Sequence, residues 1–104
     1  MFTIKANPTF DATVKIPVPG GQTADLALTF KHMTRDKVKE FFDRAASSEE
    51  TDGSLLSEII AGWTGVDAEF SEEALDELCQ NYHGAIPAIF DCYLAELSKA
   101  RSKN

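Results

Sequence analysis

Cys79 and His83 stand four residues apart in "CQNYH", a spacing that on a helix brings both side chains to one face. With Cys92 and His32 they supply, on paper, the four donors of a tetrahedral zinc site. The same Cys-His pair could serve as nucleophile and base. Three features argue against both readings. There is no C-x-x-C pair, and both cysteines fall on or beside apolar stripes, where a free thiol behaves as a small hydrophobe. Nor does the chain supply a third group to orient the histidine, or a loop to stabilise an oxyanion. A second candidate is "DAEFSEEALDEL", with Asp67, Glu69, Ser71 and Glu73 at alternate positions in the manner of a calcium loop. Glu72 occupies the place of the required glycine and Leu78 that of the bidentate glutamate, so the run reads better as a helix cap with an acidic face. "PGGQ" lacks the Gly-Lys-Ser/Thr ending of a phosphate loop, and its glycines precede a strand. The expectation is no catalytic residue, no metal and no cofactor.

What remains are aromatic side chains. Trp63, the only tryptophan, lies between Gly62 and Gly65, and Trp63 and Phe70 flank "TGVDAE" at a joint between two helical patterns. Tryptophan is enriched at interface hot spots. It also plugs corners where helices meet, so a contact surface and a packed corner both fit this position.

The chain has 104 residues, 43% of them apolar, which suits one domain spanning residues 1–104. No apolar run approaches the roughly 20 residues that cross a bilayer, and Met1 opens a polar, extended-looking segment, so an unexported protein of the cytoplasm is expected. Two cysteines are too few for a disulfide scaffold. The net charge of −7 is unevenly spread. Residues 1 to 44 carry seven Lys or Arg against five acids, residues 45 to 98 carry twelve acids and no Lys or Arg, and Lys99, Arg101 and Lys103 follow. This pattern disfavours a nucleic-acid partner, because the larger surface repels phosphate. It suits a partner with a basic patch or a second copy of the chain, and it also suits a merely solvated acidic face.

The elements that position these residues are legible from periodicity. Phe10, Ala12, Val14 and Ile16 alternate with polar residues, as do Leu26, Leu28 and Phe30, and "PVPGGQ" supplies the turn of a β-hairpin with one apolar face. Phe2 to Ala6 also alternates and suggests a third, edge strand ended by Pro8. Thr34 caps a helix from about Arg35 to Ala46, whose Val38, Phe41, Phe42 and Ala45 form the stripe expected to cover the hairpin. "SSEETDGS" reads as a mobile loop. Leu55, Leu56, Ile59, Ile60 and Trp63 share one face of a helix that stops at Gly62 or Gly65. Ser71 caps a third helix carrying Leu75, Leu78, Cys79 and Tyr82, with Gly84 as a left-handed C-cap. Pro87 opens a fourth helix with Ile86, Ile89, Phe90, Tyr93, Leu94 and Leu97, and the basic "KARSKN" complements its negative end. The fold class is α+β, an N-terminal hairpin of two or three strands followed by about four helices.

Several stretches taken together resemble a family of tail assembly chaperones of long-tailed, siphovirus-type bacteriophages and prophages. These are "ANPTFDATVKIPVPGGQ" at 6 to 22, "LTFKHMTRDKVKEF" at 28 to 41, "IIAGWTGVDAEFSEEAL" at 59 to 75, "NYHGAIPAIFDCYLAEL" at 81 to 97 and the ending "KARSKN". The similarity spans nearly the whole chain and is most specific in the Gly-Trp-x-Gly-Val-Asp and Asn-Tyr-x-Gly-Ala segments. The resemblance implies a non-enzymatic morphogenesis factor of the infected or lysogenic cell that oligomerises. It further implies that the chaperone coats the helical tape-measure protein until tube subunits replace it and is absent from the finished virion. Many such chaperones also exist in a longer form made by ribosomal frameshifting, for which "SKARSKN" would be the point of extension. The candidate contact residues are Trp63, Val66 and Phe70, with Glu69, Glu72 and Glu73 on the acidic surface beside them. Two other classes stay open: a small acidic regulator that binds a basic, DNA-binding partner, and a zinc-dependent enzyme using Cys79, His83 and Cys92.

Overall fold

The computed structural model describes residues 1–99. Alternation of apolar and polar residues builds strands β1 (Thr9–Val18) and β2 (Gln22–Lys31), which pair antiparallel from Thr9 opposite Lys31 to Val18 opposite Gln22. The turn between them uses Gly20 and Gly21 at φ 102° and 84°, a region where side chains other than glycine are strained. The period of two sends Val14, Ile16, Leu26, Leu28 and Phe30 into the core. Asp11, Thr13, Lys15 and Asp25 go to the solvent face, where Lys15 pairs with Asp25 at 2.6 Å.

Thr34 accepts a hydrogen bond from the Lys37 amide at 3.3 Å and starts helix α1 (Arg35–Ser47), as its residue type predicts. The second helical pattern folds differently from expectation. Helix α2 is short (Asp52–Leu56); it begins inside the stretch expected to be a loop, capped by Thr51, and ends before the apolar run does. The remainder, "IAGWT", is strand β3 (Ile60–Thr64), which pairs antiparallel with β2 and makes the sheet order β1-β2-β3. Leu55, Leu56, Ile59 and Ile60 fit a helix by spacing, but a hairpin alone leaves one edge of β2 without backbone partners, and Ile60 to Thr64 satisfy it. The third strand therefore comes from the middle of the chain and not from Phe2–Ala6, which forms no strand and is exposed.

Ser71 caps helix α3 (Glu72–Asn81) through the Ala74 amide at 3.0 Å, with Glu72 and Glu73 in the first turn, where the helix dipole favours them. The chain then turns into helix α4 (Ala85–Ser98), with Pro87 in its first turn. Gly84 has φ −91° and N-caps α4, so it is not the left-handed cap expected of it. Its lack of a side chain serves another need: a Cβ there would meet the Pro17 ring at 2.9 Å, so glycine lets the α3–α4 turn close on the hairpin. Residues 100–104, which hold most of the basic ending and of the expected extension point, lie outside the described residues.

Helix α4 lies along β1, and α3 packs on α2. Helix α1 was expected to cover the hairpin; instead α4 takes that role, and α1 is tied to α4 through edge-to-face contacts of Phe41 and Phe42 with Phe90 at 5.9 and 4.9 Å. Burial joins all these elements in one continuous core, from Val14 on β1 to Tyr93 on α4.

Candidate functional site

The residues proposed for zinc or nucleophilic chemistry have separate surroundings. Cys79 is buried on α3, His83 is exposed in the following turn, and Cys92 contacts the Thr13 carbonyl on β1 at 4.0 Å. Among the described residues no group of three or more His, Cys, Asp or Glu side chains is placed to hold a metal ion. The thiols are poor nucleophiles for a physical reason. Burial, reinforced by the charges of Asp52 and Asp76, pushes Cys79 up to about 12, and burial also raises Cys92.

This gives an alkaline prediction. The Cys79 thiol, and the Tyr93 phenol that burial alone pushes up to about 12, hold their protons more tightly in the folded chain than in the unfolded one. Their contribution to stability is complete below the unfolded values of 9.0 and 10.0 and is lost as pH rises toward 12. The denaturant midpoint is expected to fall between pH 9 and pH 12, and less steeply in Cys79→Ala. At pH 8, iodoacetamide should label Cys79 only in step with unfolding.

The joint around Trp63 is more informative. Trp63 sits opposite Leu28 in the β2–β3 ladder, so it points to the same side of the sheet as the core strand residues. Its indole N–H donates to the Ala68 carbonyl at 3.0 Å, and the Phe70 ring meets it edge-to-face at 5.3 Å and 86°. The loop 65–71 is thereby folded back onto the tryptophan. Trp63, Val66 and Phe70 all remain half-buried. Beside them opens a groove of about 280 Å³, whose apolar wall is Trp63, Val66, Leu78 and Tyr82 and whose acidic rim is Asp67 and Glu77.

The electrostatics of this region are one-sided. Arg44 from the basic part of the chain pairs with Glu58 at 2.5 Å and Glu50 at 3.0 Å, and Lys99 pairs with Glu96 at 3.0 Å. Among the described residues, Asp67, Glu69, Glu72, Glu73, Asp76 and Glu77 have no basic partner. Asp76 is occupied by the Gly53 amide, and Glu72 accepts from the Ser57 hydroxyl at 3.4 Å. The rest face water. A larger concavity of about 540 Å³ lies over the open side of the sheet, but its charges are satisfied internally: Thr29 donates to Asp11 at 2.7 Å, and Glu96 is paired with Lys99. The smaller groove combines desolvatable aromatic surface with uncompensated charge, and it is the better binding site.

A family model described as phage tail assembly chaperone matches residues 1–104, the whole chain. The chain belongs to this family. No curated protein and no solved structure matches it. Membership in a chaperone family points away from catalysis and toward protein partners in tail assembly. Among the described residues of this tail assembly chaperone, no helix is long and apolar enough to cross a membrane.

Of the residues named from the sequence, the structure brings Trp63, Val66 and Phe70 together, while Glu69, Glu72 and Glu73 are exposed outside the groove wall. Leu78, Tyr82, Asp67 and Glu77 complete the site, although none was among the contact candidates. The available signal was the i, i+4 spacing of Ala74, Leu78 and Tyr82, which puts Ala74 and Leu78 on one flank of α3 and Tyr82 at its C-cap.

Proposed function

We propose that this tail assembly chaperone self-associates and holds the tape-measure protein during tail morphogenesis, binding helical client segments across the Trp63 groove. The observation that carries this reading is an aromatic groove edged by acids with no basic partner among the described residues, on a chain of this family. A basic amphipathic helix has the matching chemistry: apolar side chains for Trp63, Val66 and Tyr82, and Lys or Arg for Asp67, Glu77 and the exposed Glu69, Glu72 and Glu73. Rim charges act mainly on encounter rate and salt dependence, and the aromatic wall on residence time. Such a chaperone works in the host cytoplasm and is displaced before the virion is complete. A frameshift-extended form would share the groove and add a second contact.

The test is titration of client segments, with light scattering of the protein alone across concentration and salt. Trp63→Ala is expected to weaken client binding by at least about tenfold. Reversing Glu69, Glu72 and Glu73 to lysine is expected to weaken it further and to flatten its salt dependence. Binding unchanged in both variants would refute the groove reading. The acidic surface also suits a small regulator of a basic, DNA-binding protein; that reading predicts a salt-independent monomer or dimer and no affinity for tape-measure segments.

A further inference from the structure

Two parts of the fold lack partners among the described residues, and their chemistry matches. The first is the N-terminal arm. Phe2 and Ile4 are 87% and 89% exposed, and with Met1 they are three of the four large apolar side chains exposed among the described residues. Phe2-Thr3-Ile4 consists of strand-forming residues with the period of a strand, so the arm is built to pair, yet it forms no strand among the described residues.

The second is the outer edge of β3. Among the described residues no backbone hydrogen bond reaches the side of this strand turned away from β2. Exposed sheet edges are ordinarily protected by charged residues or proline, yet "IAGWT" has neither. The other edge strand, β1, carries Asp11, Lys15 and Pro17 and is flanked by α4, which places Cys92 against the Thr13 carbonyl. Acids follow the strand, Asp67 and Glu69, both exposed and opposite in sign to Lys5 of the arm.

The arm cannot reach this edge in its own molecule. Pro8 is held by the His32 amide, which donates to its carbonyl at 2.8 Å, and Thr9 is already in β1. A position outside β3 lies three strand spacings from β1, about 14 Å. Ala6, three residues before Thr9, reaches about 10 Å at full extension, so Phe2–Ala6 cannot lie as one strand along its own β3.

We infer that the arm of one copy adds as a strand to the β3 edge of a second copy, with Phe2 and Ile4 extending the apolar layer beside Trp63. This deepens the self-association stated above and rests on it. Reciprocal exchange closes a dimer, and one-way exchange builds a ring or filament from identical contacts.

The experiment compares the intact chain with a variant lacking residues 2–7 and with full-length Phe2→Ser/Ile4→Ser. Because the arm is exposed, both variants should keep the thermal midpoint of the isolated subunit. Self-association measured by sedimentation should weaken at least about 100-fold in each, given the apolar surface removed. Hydrogen exchange at 60–64 should slow with concentration in the intact protein and stay fast in both variants. Variants that assemble as tightly as the intact chain, or exchange at 60–64 that ignores concentration, would overturn the arm and leave self-association standing through another surface. An intact protein that stays monomeric throughout would overturn both, while client binding at the Trp63 groove reports on the chaperone reading separately.

Discussion

Phe30→Ala is expected to lower the unfolding free energy by about 4 kcal/mol, the largest effect of any single truncation in this fold. Phe30 is 0% exposed, and its ring lies 5.6 Å from Phe10 and 5.1 Å from Tyr93, joining the central strand to α4. The cavity cannot easily collapse, because each wall is held independently: Tyr93 donates its hydroxyl to the Lys31 carbonyl at 2.7 Å, and Phe10 is fixed opposite Phe30 in the β1–β2 ladder. Chains of this size carry about 5–15 kcal/mol in all, so the variant should sit near the threshold of folding at 37 °C. Denaturant unfolding should show a lower midpoint with an unchanged slope. Phe30→Leu, which keeps most of the volume, should lose less than about 1.5 kcal/mol. An alanine variant within about 1 kcal/mol of the parent would mean that the ring trio does not carry the sheet–helix contact.

Gly53→Ala is expected to destabilise by about 3 kcal/mol, although alanine in a helix is intrinsically favoured over glycine by about 1 kcal/mol. The reversal comes from α3. A Cβ at position 53 would collide with the Glu72 carbonyl, which is backbone, and with the Asp76 carboxylate. It would also displace the short hydrogen bond from the Gly53 amide to Asp76 that satisfies one of the free donors at the start of α2. Relief requires α2 and α3 to separate, which uncovers Leu55, Leu56 and Leu75. Chemical denaturation reads the loss directly. If alanine were neutral or stabilising, the two helices would not be in contact at this point. Because α3 forms a wall of the Trp63 groove, the same variant should weaken client binding while leaving the β1–β2 hairpin in place.

Local rules written in the chain determined a good deal. Strict alternation on both sides of a Pro-Gly-Gly turn is enough for the hairpin and for which face is buried, since a slip of one residue would turn every apolar side chain outward. Thr34 and Ser71 set the starts of α1 and α3, because a cap needs only its own hydroxyl and amides two or three residues on. The contact candidates Trp63, Val66 and Phe70 were visible for the same reason: they lie within eight residues of one another, around glycines. Tertiary structure decided what depends on distant partners. The run from Leu55 to Trp63 has a helical period, yet half of it became strand, because the unpaired edge of β2 offers backbone hydrogen bonds that no spacing rule can see. Phe2–Ala6, a strand by pattern, forms no strand among the described residues, since alternation does not supply a backbone partner. The hairpin's cover passed from α1 to α4, since the Phe10–Phe30–Tyr93 contacts link residues more than 60 positions apart. The groove itself needed the fold: Tyr82 and Leu78 line it with Trp63 only after β3 and α3 have packed, and Arg44 is paired with Glu50 and Glu58 away from its rim acids.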